Sequence, residues 1–399
     1  DTSFEPPILK APARRDNLIR FIHGFSDDED QTLPMTPATA EIRKWVLGDV
    51  LHSEPAVFNY TTYSGEHENI CHNFTDPSVT TANSTVIFAG ANDGMLHAFR
   101  DCDGQELWAF VPPNVLPSLQ YIKDPQSGHP TFVDAAPLLI RHDQNNNGAI
   151  EPAEGDKVTL IFGQRRGGGN NILDETSPRG AYYALDVTEP LYPKLLWEVD
   201  SDELGEMGES WSRPQLGRVR VSDNSYKAVI FVGAGYDNNE DLRFGDTQTF
   251  PDAEGVDINL AGTGGEVDGA GDPQASAGEL RADDRFAPRV RGILAIEVAT
   301  MSRTSSTAPY TAQLTNEPQI LWSYTFENND QIKYPIAGDI KVIDLNGDRF
   351  SDVIYLGDTG GNLWKFDITD PDKNQWGGQI LFKSNPGDDS TNGRKVFYA

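Results

Sequence analysis

Two short acidic segments carry oxygen donors at spacings that suit a metal ion. The first, which we call loop 1, is DQNNNGAIEPAE at 143–154; the second, loop 2, is DLNGDRFSD at 344–352. Calcium takes about six to eight oxygen ligands, and alternating short side chains reach a common centre when the chain curls around it. The two segments therefore predict two calcium sites.

Loop 1 matches the EF-hand calcium pattern along its length. Gly148 at the sixth position allows a sharp turn. The seventh residue, Ala149, would contribute its backbone carbonyl. The predicted side-chain ligands are Asp143, Asn145, Asn147, Glu151 and Glu154. The alternative is an asparagine-rich polar turn that binds no ion.

Loop 2 is a shorter version of the same pattern. Its predicted ligands are the side chains of Asp344, Asn346, Asp348 and Asp352 and the backbone carbonyl of Phe350. Carboxylates held this close repel one another unless a cation lies between them. Gly347 occupies the fourth position instead of the sixth. The alternative is an exposed acidic turn.

A four-part repeat surrounds both loops. Each copy has a strand marked by Pro or Gly, an apolar strand ending in Gly, an alternating strand, and a short aromatic strand. The first parts are 53–60, 134–142, 212–221 and 335–345; the second parts are 85–91, 158–164, 228–234 and 352–358. The third parts are 94–101, 180–187, 292–299 and 362–369; the fourth parts are 106–111, 195–200, 320–326 and 379–384.

The repeat predicts an all-β fold, a modified β-propeller with at least four four-stranded blades, long loop insertions and a short N-terminal helical segment. A β-sandwich of several hairpins is the alternative. Both predicted metal loops join the first and second strands of a blade, whereas the matching link in the third blade, 222–226, is short and lacks the carboxylate spacing.

The domain boundaries follow from the repeat. Residues 1–52 are predicted to form a lead-in segment with a short helix at 41–51, and residues 53–399 the propeller. Residues 245–289 are rich in Gly, Ala, Asp and Glu, which predicts a mobile insertion. Both ends of the sequence are abrupt, so we expect a fragment of a longer protein whose propeller is truncated at the C-terminus.

Composition narrows the function classes. Hydrophobic residues make up 38% of the chain, enough for a core, and the formal net charge is −29. A surface this negative disfavours nucleic acids and anionic membranes, whereas it suits cations. No apolar run is long enough to cross a membrane.

The two cysteines, Cys71 and Cys102, fall on links that lie at the same side of the first predicted blade. A disulfide is therefore sterically plausible and would indicate an oxidising compartment. Two free thiols are the alternative. His67 and His72 beside Cys71 could form a zinc or copper site, but no second cluster completes it.

The remaining motifs point to no catalysis. The glycine-rich segment 163–171 lacks the ending that a phosphate-binding loop requires, which favours a flexible blade loop. The acidic segment 235–241 fits no metal-binding spacing. No arrangement of a nucleophile and a base is recognisable, so the chain is predicted not to be an enzyme.

With the blades defined, the sequence resembles the C-terminal domain of the PilY-type family of type IV pilus tip adhesins and biogenesis factors. The stretches that carry the resemblance are 46–58, 87–99, 160–168, 181–187, 228–237 and 343–368. Together they are specific, and they cover most of the chain outside the insertion.

The resemblance implies a calcium-binding propeller at the tip of an extracellular fibre, secreted through the periplasm, that supports pilus assembly, adhesion and twitching motility. It implies that loop 2, through Asp344, Asn346, Asp348, Phe350 and Asp352, controls pilus extension against retraction. Minor pilins of the tip complex and a host or abiotic surface are the implied partners. Loop 1 depends on its own spacing and not on the resemblance.

Two other functions compete with this one. A quinone-dependent dehydrogenase-like propeller enzyme has similar blades, but it uses adjacent cysteines and a calcium ion at the propeller centre, which neither the cysteine spacing nor the two loops match. A glycan-binding propeller is the other alternative. A quinone absorbance band and a glycan array, respectively, would test them.

Overall fold

The computed structural model describes residues 12–25, 42, 46–62, 70–76, 78–79, 81–123, 130–167, 180–200, 207–236, 249–251, 257–259, 291–326, 328–329 and 331–384. Within these ranges four antiparallel sheets follow one another along the chain. We call them blades 1 to 4. Most of the insertion at 245–289, the later residues of the 163–171 and 235–241 segments, and His67 lie outside the described residues.

In blades 1, 2 and 4 the strands pair in chain order. Blade 1 contains β1 (Ala56–Asn59), β2 (Thr85–Gly90), β3 (Leu96–Arg100) and β4 (Glu106–Phe110). Blade 2 contains β5 (Leu138–His142), β6 (Lys157–Phe162), β7 (Tyr182–Asp186) and β8 (Lys194–Val199). Blade 4 contains β16 (Lys341–Ile343), β17 (Val353–Gly357), β18 (Asn362–Asp367) and β19 (Gly377–Lys383).

Blade 3 is more elaborate than the four-stranded unit expected from the repeat. It contains β9 (Gln215–Ser222), β10 (Ser225–Gly233), β13 (Gly292–Ser302), β14 (Thr311–Leu314) and β15 (Ile320–Thr325). Because β13 is long, β14 and β15 pair with successive parts of it, so the blade stays four strands deep. Within the insertion, β11 (Thr249–Pro251) and β12 (Asp257–Asn259) form a separate antiparallel pair.

The second strands of blades 2 and 3 are buried on both faces because their adjacent residues pack against different blades. Leu160 of β6 lies in the core between blades 1 and 2, while the next residue, Ile161, lies in the core between blades 2 and 3. In β10, Ile230 packs towards blade 2 and Phe231 towards blade 4. The four blades thus stack in chain order as a propeller, which explains the unbroken apolar runs of the sequence.

The glycine that ends the second strand has a packing role. A Cβ atom on Gly90 would lie 2.4 Å from the carbonyl oxygen of Val133, in the segment that leads into blade 2. A Cβ atom on Gly233 would lie 2.1 Å from the carbonyl oxygen of Ile336, in the segment that leads into blade 4. Only glycine permits this close backbone approach between successive blades.

The N-terminal helix lies elsewhere than predicted. The helix α1 spans Pro12–Ile22, whereas the described residues of the predicted helix at 41–51 are not helical. Gly48 instead donates its N–H to the Asp93 carboxylate at 2.8 Å, and the Asp49 carbonyl accepts from Asn92 at 3.0 Å. The prediction was wrong because these backbone groups bond to blade 1 instead of forming a helix.

The predicted disulfide is present. Cys71 and Cys102 are bonded, with their Cα atoms 5.4 Å apart. Cys71 lies in the link between β1 and β2, and Cys102 in the link between β3 and β4. The bond consumes the thiol that a zinc or copper site would need. His72 is likewise engaged, because its ring nitrogens contact the carbonyl of Asp76 and the N–H of Phe74.

Blade 1 contains a buried histidine between two carboxylates. One ring nitrogen of His97 lies 2.6 Å from Glu106, and the other lies 3.1 Å from both oxygens of Asp93. Burial alone would lower the pKa of His97, but the hydrogen bonds and charges of Asp93 and Glu106 outweigh it and raise the pKa above 6.5. The folded state therefore favours the charged imidazolium.

Replacing His97 with glutamine is expected to reduce stability in a pH-dependent way. Because the folded-state pKa is raised, the stabilisation by His97 is fully present below the unfolded pKa of about 6.5 and is lost as pH rises through the folded pKa. Urea midpoints of both proteins should therefore differ most at acidic pH and converge at alkaline pH. A difference that does not depend on pH would contradict this assignment.

Candidate calcium loops

Loop 1 joins β5 to β6 and is fastened to blade 1. The N–H of Ile150 donates to the carbonyl of Tyr60 at 2.8 Å, at the end of β1. A Cβ atom on Gly148 would lie 2.6 Å from Thr62, so the turn packs closely against the neighbouring blade. Ala149 and Ile150 are buried, whereas the polar side chains between 145 and 147 are exposed. The buried part of the loop, Ala149 and Ile150, is thus anchored to blade 1, whereas residues 145–147 are open to solvent.

The predicted ligands of loop 1 are linked to one another by hydrogen bonds. The two carboxylate oxygens of Asp143 accept from the N–H groups of Asn147 and Gly148, at 3.2 and 2.8 Å. The side-chain amide of Asn147 donates to Glu151 at 2.7 Å, and that of Asn145 donates to Glu154. The remaining predicted ligand, Ala149, directs its N–H to the side-chain oxygen of Asn147 at 2.8 Å.

Loop 2 joins β16 to β17 and is more exposed. The carboxylate oxygens of Asp344 accept from the N–H groups of Gly347 and Arg349, both at 2.7 Å. The side-chain oxygen of Asn346 accepts from the N–H of Asp348 at 2.8 Å, and Asp348 in turn accepts from the N–H of Phe350 at 2.9 Å. These short-range bonds curl the backbone of loop 2 into a compact turn.

The two loops have the same backbone turns despite their different glycine positions. In loop 1, Asn146 and Gly148 have φ angles of 57° and 91°, at the fourth and sixth positions. In loop 2, Gly347 and Arg349 at the same two positions have φ angles of 81° and 73°. Each loop therefore uses glycine at one left-handed position and a larger residue at the other. The shifted glycine of loop 2 leaves the turn pattern unchanged.

A buried aspartate closes each loop, and one of the two was missed by the sequence analysis. Asp352 accepts from the N–H of Leu345 at 2.7 Å, and Asp156 accepts from the N–H groups of Gln144 and Glu151, both at 2.8 Å. Both aspartates immediately precede the second strand of their blade. Asp156 is thus the structural counterpart of Asp352, although the EF-hand spacing pointed to Glu154. The position of Asp156 directly before an apolar strand is the sequence feature that could have identified it as a closing residue.

The first aspartate of each loop is stabilised in its charged form. Desolvation acts to raise the pKa of Asp344, but the N–H groups of Arg349 and Gly347 outweigh it and lower the pKa. Desolvation likewise opposes ionisation of Asp143, while the N–H of Gly148 and the guanidinium of Arg141 lower its pKa. Arg141 donates to Asp143 at 2.7 Å. Both aspartates are therefore carboxylates near neutral pH.

The donor chemistry of both loops fits calcium. Each offers carboxylate, amide and backbone carbonyl oxygens, which are the ligands that this hard cation prefers. An N–H donor does not block a carboxylate oxygen, because each oxygen has a second lone pair. Among the described residues, the one group of three acidic, cysteine or histidine ligands within 4.8 Å is Cys71, Cys102 and Asp103, whose sulfur atoms form the disulfide. In neither loop, therefore, do three carboxylate groups lie within 4.8 Å of one another.

A cavity of about 380 Å³ lies beside loop 1, between blades 1 and 2. Its walls include Tyr60 and Phe74 from blade 1, Ile150 and Pro152 from loop 1, and Tyr192 from blade 2. Loop 1 thus forms part of a mainly apolar pocket wall, so its conformation affects the shape of the pocket.

Comparison with known proteins places this fold and these loops in context. No family model matches the chain. The type IV pilus biogenesis factor PilY1 of Pseudomonas aeruginosa is 32% identical over 206 residues, which is 50% of this chain and 16% of the relative. A PilY1 homologue of Xylella fastidiosa is 26% identical over 382 residues, which is 93% of this chain and 20% of the relative.

A solved structure also resembles the chain. The crystal structure of the Pseudomonas aeruginosa PilY1 C-terminal domain is 21% identical and has a TM-score of 0.39, covering 78% of this chain and 44% of that one. None of the helices among the described residues is long and apolar enough to cross a membrane. The chain spans about a fifth or less of the length of its curated relatives. These sequence matches show that the chain is similar to the PilY-type type IV pilus biogenesis factors over half or more of its own length.

Proposed function

We propose that the chain is a calcium-binding, non-catalytic propeller module of a type IV pilus biogenesis protein. The observation that carries this proposal is the shared geometry of the two loops, which have the same turn pattern and a buried closing aspartate in the same place on two blades. Homology to pilus biogenesis factors supplies the biological setting.

Calcium would be held in loop 2 by Asp344, Asn346, Asp348, Asp352 and the carbonyl of Phe350. In loop 1 it would be held by the EF-hand set of Asp143, Asn145, Asn147, Glu151, Glu154 and the carbonyl of Ala149. When bound, it would supply positive charge to carboxylates that otherwise repel one another. Because each loop links the first two strands of a blade, neutralising the negative charge of the loop would stabilise that edge of the blade. The net charge of −29 makes such neutralisation favourable for the whole chain.

The proposed place of action is outside the cell, at or near the pilus tip, in contact with minor pilins and with the surface to which the cell adheres. The disulfide between Cys71 and Cys102 supports an oxidising compartment. The proposed role of loop 2 is to shift the balance between pilus extension and retraction, and with it adhesion and twitching motility. Loop 1 is proposed to rigidify the seam between blades 1 and 2, since it is bonded to Tyr60.

No catalytic role is included in the proposal. A quinone-dependent enzyme of this architecture would use adjacent cysteines, whereas Cys71 and Cys102 are 31 positions apart and bonded across blade 1. The two loops are proposed to bind and release a cation, which requires no covalent bond to break.

Reversing the charge at Asp352 in the full-length parent protein is expected to abolish surface pili. A lysine there would place a cation where the ligand and the acceptor for Leu345 belong, so loop 2 could neither bind calcium nor keep its turn. Counting pili by electron microscopy, with twitching zones on agar as a second measurement, checks the result. Unchanged piliation would contradict the proposed role of loop 2.

The matching control uses the isolated chain, so that loss of pili is separated from loss of the fold. Calcium should raise its melting temperature, and Asp348→Ala should remove part of that rise while leaving the calcium-free melting temperature nearly unchanged. Asp348 suits this purpose because it is exposed and its ion pair with Arg220 joins two side chains that are each 41% exposed, so the pair contributes little to stability. A calorimetric scan without any calcium response would contradict calcium binding itself.

A further inference from the structure

Loop 2 of blade 4 lies against the first strand of blade 3. The guanidinium of Arg220, on β9, donates to the Asp348 carboxylate at 2.9 Å and covers the ring of Phe350 at 4.0 Å. Both Asp348 and Phe350 are predicted calcium ligands, the first through its side chain and the second through its carbonyl. The guanidinium of Arg220 in blade 3 therefore already pairs with a carboxylate of the predicted calcium site in blade 4.

Further bonds hold the loop at the same seam. The N–H of Ser351 donates to the carbonyl of Arg218 at 3.0 Å, and the N–H of Arg218 donates to the hydroxyl of Ser351 at 3.1 Å. The ring of Phe350 also meets that of Tyr226 edge to face, with centroids 5.9 Å apart. These contacts do not involve a ligand carboxylate, so they can persist when an ion binds.

The Arg220 contact differs because it uses a ligand oxygen. One oxygen of Asp348 accepts the N–H of Phe350, and the other accepts Arg220. A divalent cation in the loop would compete with the guanidinium for this carboxylate and would repel its charge. Because Arg220 and Asp348 are each 41% exposed, their ion pair is weak and a multidentate ion can displace it.

We propose that Arg220 is an internal competitor of the calcium ion in loop 2, so that ion binding releases one contact between blades 3 and 4. This inference rests on the proposed binding of calcium by loop 2. Arg220 then lowers the affinity of loop 2 for calcium. Through the Arg220–Asp348 ion pair, calcium occupancy of loop 2 also changes a contact between blades 3 and 4. In the described part of the chain, the cation paired with the first aspartate of loop 1 is Arg141, which belongs to the same blade and does not cross a seam.

The test is calcium titration of the 399-residue chain carrying Asp143→Ala, which leaves loop 2 as the proposed site. Adding Arg220→Gln should tighten calcium binding by about two- to fivefold, the range expected for loss of an exposed ion pair. Arg218→Gln is the matched control, because it removes the same charge two residues away on β9 without removing a bond to Asp348. Isothermal titration with calcium chloride measures all three proteins.

A second measurement follows Arg220 directly. In an NMR titration, the Nε–H resonance of Arg220 should shift as calcium is added and that of Arg218 should move less. If Arg220→Gln binds calcium no more tightly than Arg218→Gln, or more weakly than the parent, the competitor role is wrong even though the loop binds calcium. If the Asp143→Ala parent binds no calcium at all, the proposed function fails as well.

Discussion

Replacing Asp156 with alanine is expected to destabilise the chain by about 2–4 kcal/mol, because it removes the charged acceptor of two partly buried backbone donors. Asp156 is fully buried, and its carboxylate accepts from Gln144 and Glu151, both at 2.8 Å. These two bonds hold the start and the middle of loop 1 to the edge of β6. The same variant should therefore also weaken calcium binding by loop 1.

Glu154→Ala is the control for this prediction. Glu154 is exposed and contacts the side chain of Asn145, so its loss should change the calcium-free stability by less than about 0.5 kcal/mol. Urea unfolding in the presence of a chelator measures both variants without any contribution from the ion. Equal destabilisation by the two variants would show that Asp156 does not have the closing role assigned to it.

Removing the disulfide is the second change with a large expected effect. The bond joins residues 31 positions apart, and closing a loop of that length stabilises a folded chain by about 3–4 kcal/mol. It fastens the long link between β1 and β2. Among the described residues of this link, His72 donates to the carbonyl of Asn83 at 3.0 Å, and Asn83 donates to the carbonyl of Ile70 at 2.7 Å. We therefore expect blade 1 to be the part most affected.

The measurement compares the wild-type chain, the same chain after reduction, and the double variant Cys71→Ser/Cys102→Ser. Reduction and the double variant should lower the urea midpoint by the same amount, since the chain has no other cysteines. A reduced chain with an unchanged midpoint would mean that the link is held by its other contacts. Mass spectrometry of the unreduced chain confirms the starting bond.

The two calcium-related proposals have different consequences for regulation. If loop 2 exchanges Arg220 for an ion, its occupancy changes a contact between two blades, whereas occupancy of loop 1 changes the rigidity of one seam. Loop 2 is thus better suited to transmit its occupancy to a neighbouring blade.

Much of the fold could be predicted because it is encoded locally. The second strands appear as unbroken apolar runs since residues such as Leu160 and Ile161 pack against different blades. The glycines that end these strands, such as Gly90 and Gly233, appear in sequence because backbone approach excludes any side chain there. Repetition of these local signals was enough to predict the blades and their order.

The N-terminal helix shows where local signals misled. The apolar spacing at 41–51 is helical, yet Gly48 and Asp49 bond to the turn after β2. The actual helix, Pro12–Ile22, begins at a proline and is followed by Gly24 with a φ angle of 88°, which are ordinary start and stop signals. Tertiary hydrogen bonds outweighed helix propensity at the first segment.

The sequence by itself determined the repeated blades, the positions of both loops and a plausible cysteine pair, because each depends on spacing along the chain. Tertiary structure alone decided that Asp156 closes loop 1, since a carboxylate is selected by the N–H groups that fold around it and not by its count from Asp143. It alone placed Arg220 on Asp348, 128 positions away, because only the stacking of blades brings those charges together. The two acidic loops are therefore local in sequence, whereas their closing aspartate and their contacts across a seam depend on neighbouring strands and blades.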